Sequence, residues 1–335
     1  MAAYLVPPVY AAFVWWFSTG AVLLLVGLSA RFDALRLLAA SVLTATALYG
    51  LATSANELSV TSAYTAFTST ILLWGAQEIA FLAGWLTGPR AESCPAGARG
   101  FHRLKLALAA ILYHELSLLA CGAAIVVVTF GGSNQIGLWT FAALWVLRQS
   151  SKINLFLGVP VTNDELMPQP VQFLKTYFAR KPVGAFFTIS VTLAVAALAI
   201  MIQRMVEVAV TPFEIASLGL VSALFALGIV EHWFMLLPLP ALTLWGWGAR
   251  SQPLRTDTQE STMGPDHIVL DQDPAIAELR PAPPQLTLVA GSKRDARQRL
   301  EDQFRQRFLE QHAHPDKTTA DLSVESVAMG NGRTS

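Results

Sequence analysis

The sequence predicts an all-α, polytopic membrane bundle of about seven transmembrane helices, N-terminus outside and C-terminus inside, followed by a polar C-terminal tail. Three observations carry that expectation. Of 335 residues, 53% are hydrophobic and only 14% charged, against roughly 25% charged in an ordinary soluble domain. The charges are also unevenly placed. Residues 1–250 hold 13 Lys/Arg and 10 Asp/Glu, whereas 251–335 hold 10 and 13 in about a quarter of the length. Finally, seven stretches are long and apolar enough to cover about 30 Å of hydrocarbon. A charge-poor body cannot cover itself with a wetted surface, which argues against a soluble globular enzyme. A net charge of zero argues against a nucleic-acid binder, which shows a basic stripe.

The spans run over residues 4–29, 37–55, 64–86, 106–130, 136–156, 183–202 and 213–242. The first is apolar from residue 2 with no positive segment before it, so it reads as a retained span and not as a cleaved leader. The seventh contains Pro238 and Pro240, and each removes a backbone donor, so a kink is expected there. The stretch 241–247 then sits at the interface with Trp245 and Trp247 as anchors. Orientation follows from the loops. Arg31 and Arg36 follow the first span, Arg90, Arg99, Arg103 and Lys105 the third, and Arg148, Lys152, Lys175, Arg180 and Lys181 lie around and after the end of the fifth. The loops 55–62 and 131–135 have no Lys or Arg, and only Arg204 follows the sixth span. Positive loops stay in the cytoplasm, which requires an odd number of spans.

Residues 1–250 therefore form the membrane domain and 251–335 a cytoplasmic, largely disordered tail. Pro253, Pro265, Pro274, Pro281, Pro283 and Pro284 stand among acids and hydroxyl residues, a composition that cannot bury a core. Ala296, Leu300, Phe304 and Phe308 recur every four residues and mark an amphipathic helix over 292–312. Two cysteines, Cys94 and Cys121, are too few for a disulfide framework or a Cys-based metal site.

Ionisable side chains inside spans are costly and are functional hypotheses by default. Glu78 lies in the third span, His114 and Glu115 in the fourth, Arg148 and Lys152 in the last turns of the fifth with Asn154 after them, and Glu231 and His232 in the seventh. At about 1.5 Å rise per residue, Glu78, His114 and Arg148 each lie roughly 12 Å from the cytoplasmic end of their span, and Glu231 roughly 16 Å. They share one layer. Neighbours in a helix point about 100° apart, so in each of the pairs His114/Glu115 and Glu231/His232 one residue meets the site and the other a neighbouring helix. Four readings stay open. Carboxylates and imidazoles from separate helices can hold a metal, with Glu78, His114, Glu115, Glu231 and His232 as ligands. An intramembrane His114 or His232 can be the axial ligand of a tetrapyrrole metal. An ion-pair network built on Arg148 can fix helix order, and a proton or solute pathway is the remaining option. No catalytic motif has recognisable spacing: Glu-x-x-His and His-Glu-x-x-His are both absent. His102, among basic residues, is expected in solvent. After the fifth span comes a Gly158-Val159-Pro160 stop and an acidic loop. The segment 173–181, with Tyr177 and Phe178 beside Lys175, Arg180 and Lys181, reads as an interfacial segment on the inner leaflet or an ordinary positive loop.

Four elements carry a family resemblance. They are Tyr113-His114-Glu115-Leu116, the Trp-Thr-Phe-Ala-Ala-Leu-Trp run at 139–145, the run from Arg148 to Pro160, and Glu231-His232-Trp233. Through them residues 5–250 resemble the PuhE-like photosynthetic complex assembly proteins of phototrophic bacteria. The Lys-Ile-Asn-Leu-Phe-Leu-Gly-Val-Pro run at 152–160 is the most specific part. The resemblance implies a multi-pass protein of the bacterial cytoplasmic or intracytoplasmic membrane. Such a protein assists assembly of the photosynthetic reaction centre or modulates bacteriochlorophyll supply to it, with membrane lipids, reaction-centre subunits or other assembly factors as partners. It implies no settled catalytic activity, and the ligand roles above are not inherited from it. The competing expectation is a membrane metalloenzyme whose carboxylate–imidazole centre acts on a lipid-soluble pigment or quinone. A transporter comes third, since the spans show no inverted repeat.

Overall fold

The computed structural model describes residues 1–237 and 241–249. The described chain is helical: α1 (Ala2–Gly27), α2 (Asp33–Ser54), α3 (Val60–Leu82), α4 (Gly100–Val128), α5 (Ile136–Leu157), α6 (Ala185–Glu207), α7 (Pro212–Phe234) and α8 (Ala241–Ala249). Short 3₁₀ turns occupy Ala30–Phe32, Asp164–Leu166 and Gln169–Tyr177. Five helices are long and apolar enough to cross a membrane: Ala2–Gly27, Ala30–Ser54, Gly100–Val128, Ala185–Glu207 and Pro212–Phe234. The other two long helices, α3 and α5, are less apolar for a structural reason. They pack among the others, α3 on α1, α2, α5 and α7, and α5 on α3, α4 and α7. Their polar side chains are therefore turned inward: Ser62, Ser69 and Thr70 on α3, and Thr140, Ser151 and Asn154 on α5, are all buried.

Among the four apolar clusters of the described residues, two lie wholly between long helices. Phe67 of α3, Leu220 and Leu224 of α7, Ala11 of α1 and Ala143 of α5 form the larger. Leu51 of α2, Leu73 of α3, Ile125 of α4 and Phe141 of α5 form the second. Turns and ends are closed by specific groups. Ser59 and Thr211 each begin a helix with a reciprocal capping box, satisfying N–H groups that have no partner inside the helix. The α1 C-terminus is capped by a buried guanidinium: Arg36 donates to Leu25 O (3.0 Å), to Val26 O (3.1 Å) and to Leu28 O, and pairs with Asp33. Asn134, buried, donates to Ser54 O (3.0 Å) and Ser62 O (3.3 Å) and accepts from Ile136 N (3.1 Å). It thereby locks the two loops that lack Lys and Arg.

One expectation changes. The seventh helix stops at Phe234, before the prolines, because Asn163 in left-handed conformation (φ 45°) reaches across and donates to Phe234 O at 2.8 Å. Pro238 and Pro240 lie outside the described residues, as do all the expectations for the tail, including the helix over 292–312. In the segment after α5, Tyr177 packs into the protein beside Val171 and Leu174. Val171, Leu174 and Tyr177 of the Gln169–Tyr177 turn are buried against Phe81 of α3 and Ala110 of α4. Gly158 (φ 137°) turns the chain, so that Val159 N donates to Ala179 O (3.0 Å), Lys181 N to Val159 O (3.2 Å) and Val161 N to Met235 O (3.0 Å). Burial at every third residue of 171–177, the repeat of a 3₁₀ turn, places Val171, Leu174 and Tyr177 against protein.

Candidate functional site

The polar residues inside the long helices form a belt, and α5 is its hub. At 3.6 residues per turn, positions three and four apart share a face. Arg148, Gln149 and Lys152 therefore point one way, and Ser150 and Asn154 another. The first group meets α3 and α4. Arg148 pairs with Glu78 at 3.6 Å, Lys152 with Glu115 at 2.5 Å, and Gln149 donates to the second oxygen of Glu115 at 2.6 Å. The second group meets α7 and α6. Ser150 Oγ lies 2.8 Å from His232 Nε2, and Asn154 Nδ2 donates to Ser190 Oγ at 3.2 Å and back to Ser150 O at 3.1 Å.

The two histidines differ. His232 Nδ1 lies 2.7 Å from Gly228 O. A carbonyl only accepts, so Nδ1 carries the proton and Nε2 accepts from the Ser150 hydroxyl. Both nitrogens are thus engaged. His114 is fully buried, with its ring stacked on Phe81 at 4.1 Å between centroids, and neither ring nitrogen has a protein hydrogen-bond partner. Its main chain is tied elsewhere: His114 N donates to Thr87 O at 3.1 Å. Glycine is required where that connection approaches α4, because a Cβ on Gly88 would sit 2.0 Å from Ala109 O.

The adjacent pairs divide between helices. His114 turns to α3 and Glu115 to α5. His232 turns to α5, and Glu231 turns to α1, where it accepts from Trp15 Nε1 at 3.2 Å. The Trp15 ring packs edge-on against Trp245 of α8 at 5.2 Å. Glu78 and His114 share the α3–α4–α5 seam with Arg148, and Arg148 also lies within electrostatic reach of Glu231. Among the described residues, no three His, Cys, Asp or Glu side chains come together as metal ligands. His102 is exposed in the first turn of α4, and Cys94 and Cys121 are both free thiols.

Below the belt a second polar cluster closes the end of the bundle. Arg103 donates to Phe156 O (3.0 Å) and Tyr177 O (2.5 Å) and lies over the Phe156 ring at 4.2 Å, a cation at a helix C-terminus where carbonyls lack partners. Asp164 accepts from Thr162 Oγ1 (2.8 Å) and pairs with Arg180 (3.3 Å) and Lys175 (3.9 Å). Partial burial pushes its carboxyl up, but the Thr162 hydroxyl, its own backbone N–H and the two cations outweigh that and hold it below the usual Asp range.

Ser150, Gln149, Trp15, Phe81 and Ser190 complete the belt and were not singled out by charge. One usable signal existed. Gln77-Glu78 on α3 and Ser117 on α4 fall at belt depth, and Ser117 bonds Gln77.

A family model for proteins of unknown function, DUF3623, matches residues 1–256. The chain belongs to the DUF3623 family. The matched stretch holds every residue of the belt. An uncharacterized 30.4 kDa protein in the puhA 5′ region of Rhodobacter capsulatus is 37% identical over 239 residues, which cover 70% of this chain and 87% of that protein. No solved structure matches.

Proposed function

We propose that this DUF3623 protein is an integral assembly factor for the bacterial photosynthetic reaction centre, of the PuhE-like kind, and that it handles or modulates bacteriochlorophyll supply. The observation that carries the reading is the relative in the puhA 5′ region, a neighbourhood tied to photosynthesis. The belt supports a holding role over a catalytic one. Its charges are spent between helices, Lys152 on Glu115 and Arg148 on Glu78, and a catalytic centre needs groups aimed at a reacting atom.

In this reading α3 and α5 also cross the membrane, giving seven spans in the cytoplasmic or intracytoplasmic membrane. The N-terminus is outside and the basic loops inside. The partners are membrane lipids, reaction-centre subunits and other assembly factors. Of the two candidate axial ligands for a tetrapyrrole metal, His114 has a nitrogen lone pair to offer and His232 has none to spare. The metalloenzyme reading keeps Glu78, His114, Glu115, Glu231 and His232 as its donors but draws nothing from their grouping.

The test is deletion in the phototroph that carries the chain, with complementation by the wild type and by His114→Ala or Glu231→Ala at matched expression. Reaction-centre absorbance is measured beside extracted pigment. The expected result is less reaction centre with pigment of normal identity. A chemically distinct pigment precursor accumulating in both variants would overturn the proposal in favour of the enzyme.

A further inference from the structure

Two ion pairs sit side by side in the belt, and they are built differently. Glu115 is complete: one oxygen takes Lys152 and the other takes Gln149. Glu78 is not. Its Oε2 stands 3.6 Å from Arg148, while its Oε1 and the Arg148 Nε are both buried without a protein partner. Beside them His114 Nδ1 and Nε2 are in the same condition. Trp74, one turn before Glu78, lies close to the same carboxylate. On α5, Trp145 Nε1 and Ser151 Oγ, each about one turn from Arg148, are buried and unpartnered as well.

Unpartnered buried polar atoms cost free energy and are rare one at a time. Glu78 Oε1, Arg148 Nε and the two His114 nitrogens gather on one seam, and their chemistry is mixed. Glu78 Oε1 accepts and Arg148 Nε donates. A neutral imidazole does one at each nitrogen. No direct hydrogen bond joins them, so the group that satisfies them both donates and accepts. His114 is wholly enclosed and has Phe81 flat against its ring at 4.1 Å, so that group is small. A buried water makes about three hydrogen bonds to polar atoms that protein leaves unsatisfied.

We propose that Glu78, His114 and the buried Nε of Arg148, whose side chain is otherwise 41% exposed, line a hydration site between α3, α4 and α5, in which water bridges the open carboxylate oxygen, the guanidinium Nε and the imidazole. This makes Glu78 and His114 the acid and base of the belt that exchange protons through water, whereas Glu115 and His232 are held by direct bonds. Water at His114 takes the lone pair that a tetrapyrrole metal would need, so this inference stands against a pigment-ligand role for His114 and leaves the assembly role untouched.

The full-length chain, labelled with ¹⁵N-histidine and placed in lipid nanodiscs, gives the test by water-to-imidazole magnetisation transfer. The His114, His232 and His102 signals are assigned from the single Asn variants. Should His114→Asn fail to fold, the His114 signal is identified by its ring-current change in Phe81→Leu. The expected result is transfer to His114 as efficient as to exposed His102, with none to His232, and transfer retained in Glu78→Gln. No transfer to His114, or a cross-peak from its ring nitrogens to a lipid or protein group, would overturn the proposal.

Discussion

Replacing Glu115 by Ala is the sharpest perturbation of the belt. It leaves the Lys152 ammonium and the Gln149 amide facing α4 without an acceptor. Removing one partner of a buried ion pair costs about 3–5 kcal/mol, most of it the stranded charge. The two side chains retain 19% and 20% exposure, which places the expectation at the lower end, about 3 kcal/mol. Loss of the Gln149 bond adds about 1 kcal/mol. Removing a neutral bond is much milder: hydrogen bonds inside membrane bundles average about 0.6 kcal/mol, the figure expected for Ser150→Ala. Replacing both Glu115 and Lys152 by Met removes the charge with its partner and should recover most of the loss. The assay is unfolding of the detergent-solubilised full-length protein by SDS titration, followed by tryptophan fluorescence. A cost for Glu115→Ala no larger than that of Ser150→Ala, with no recovery in the double variant, would refute a desolvated pair and show that Lys152 reaches water unaided.

Three further outcomes follow from the same geometry. Arg36→Ala should destabilise by about 1–3 kcal/mol because it strands the carbonyls that close α1, and Arg36→Lys should rescue little, since an ammonium lacks the fork; the same unfolding assay reads both. Ser150→Ala and His232→Phe should show a coupling energy in a double-variant cycle, whereas Arg36→Ala and His232→Phe, which share no partner, should be additive. Asp164 has a folded pKa below its unfolded value, so its stabilising contribution is present above the ordinary Asp range near 3.9 and is lost as pH falls through the lower folded value. Hydrogen exchange of the Gln169–Tyr177 turn should therefore accelerate in that acid window in the wild type, and Asp164→Asn should already be fast at neutral pH with no further acid response.

Much of this was legible in the sequence, because bundle helices announce themselves by length and apolarity. The stretches 106–130, 136–156 and 183–202 agree with α4, α5 and α6 to within a few residues. The end of α7 was not legible, because the residue that caps it, Asn163, lies 71 positions away in sequence. The belt was half legible. Charges inside spans picked out Glu78, Glu115, Arg148, Lys152 and Glu231. Shared depth gives no azimuth, so the direct partner of each charge cannot be read from it. Azimuth sent Glu231 to Trp15 on α1 and Glu115 to Lys152 on α5. Neutral partners such as Ser150 and Phe81 carry no signal of their own; only the folded bundle sets one against His232 and the other against His114.

The central claim is that the protein serves assembly and not pigment chemistry. Pulse-chase labelling of reaction-centre subunits in the deletion strain tests it most directly, with membranes resolved on native gels through the chase. Subunits synthesised at the normal rate are expected to enter the assembled complex slowly and to be degraded meanwhile, with wild-type kinetics restored by complementation. Assembly at the normal rate, with an altered pigment inside the complex, would contradict it.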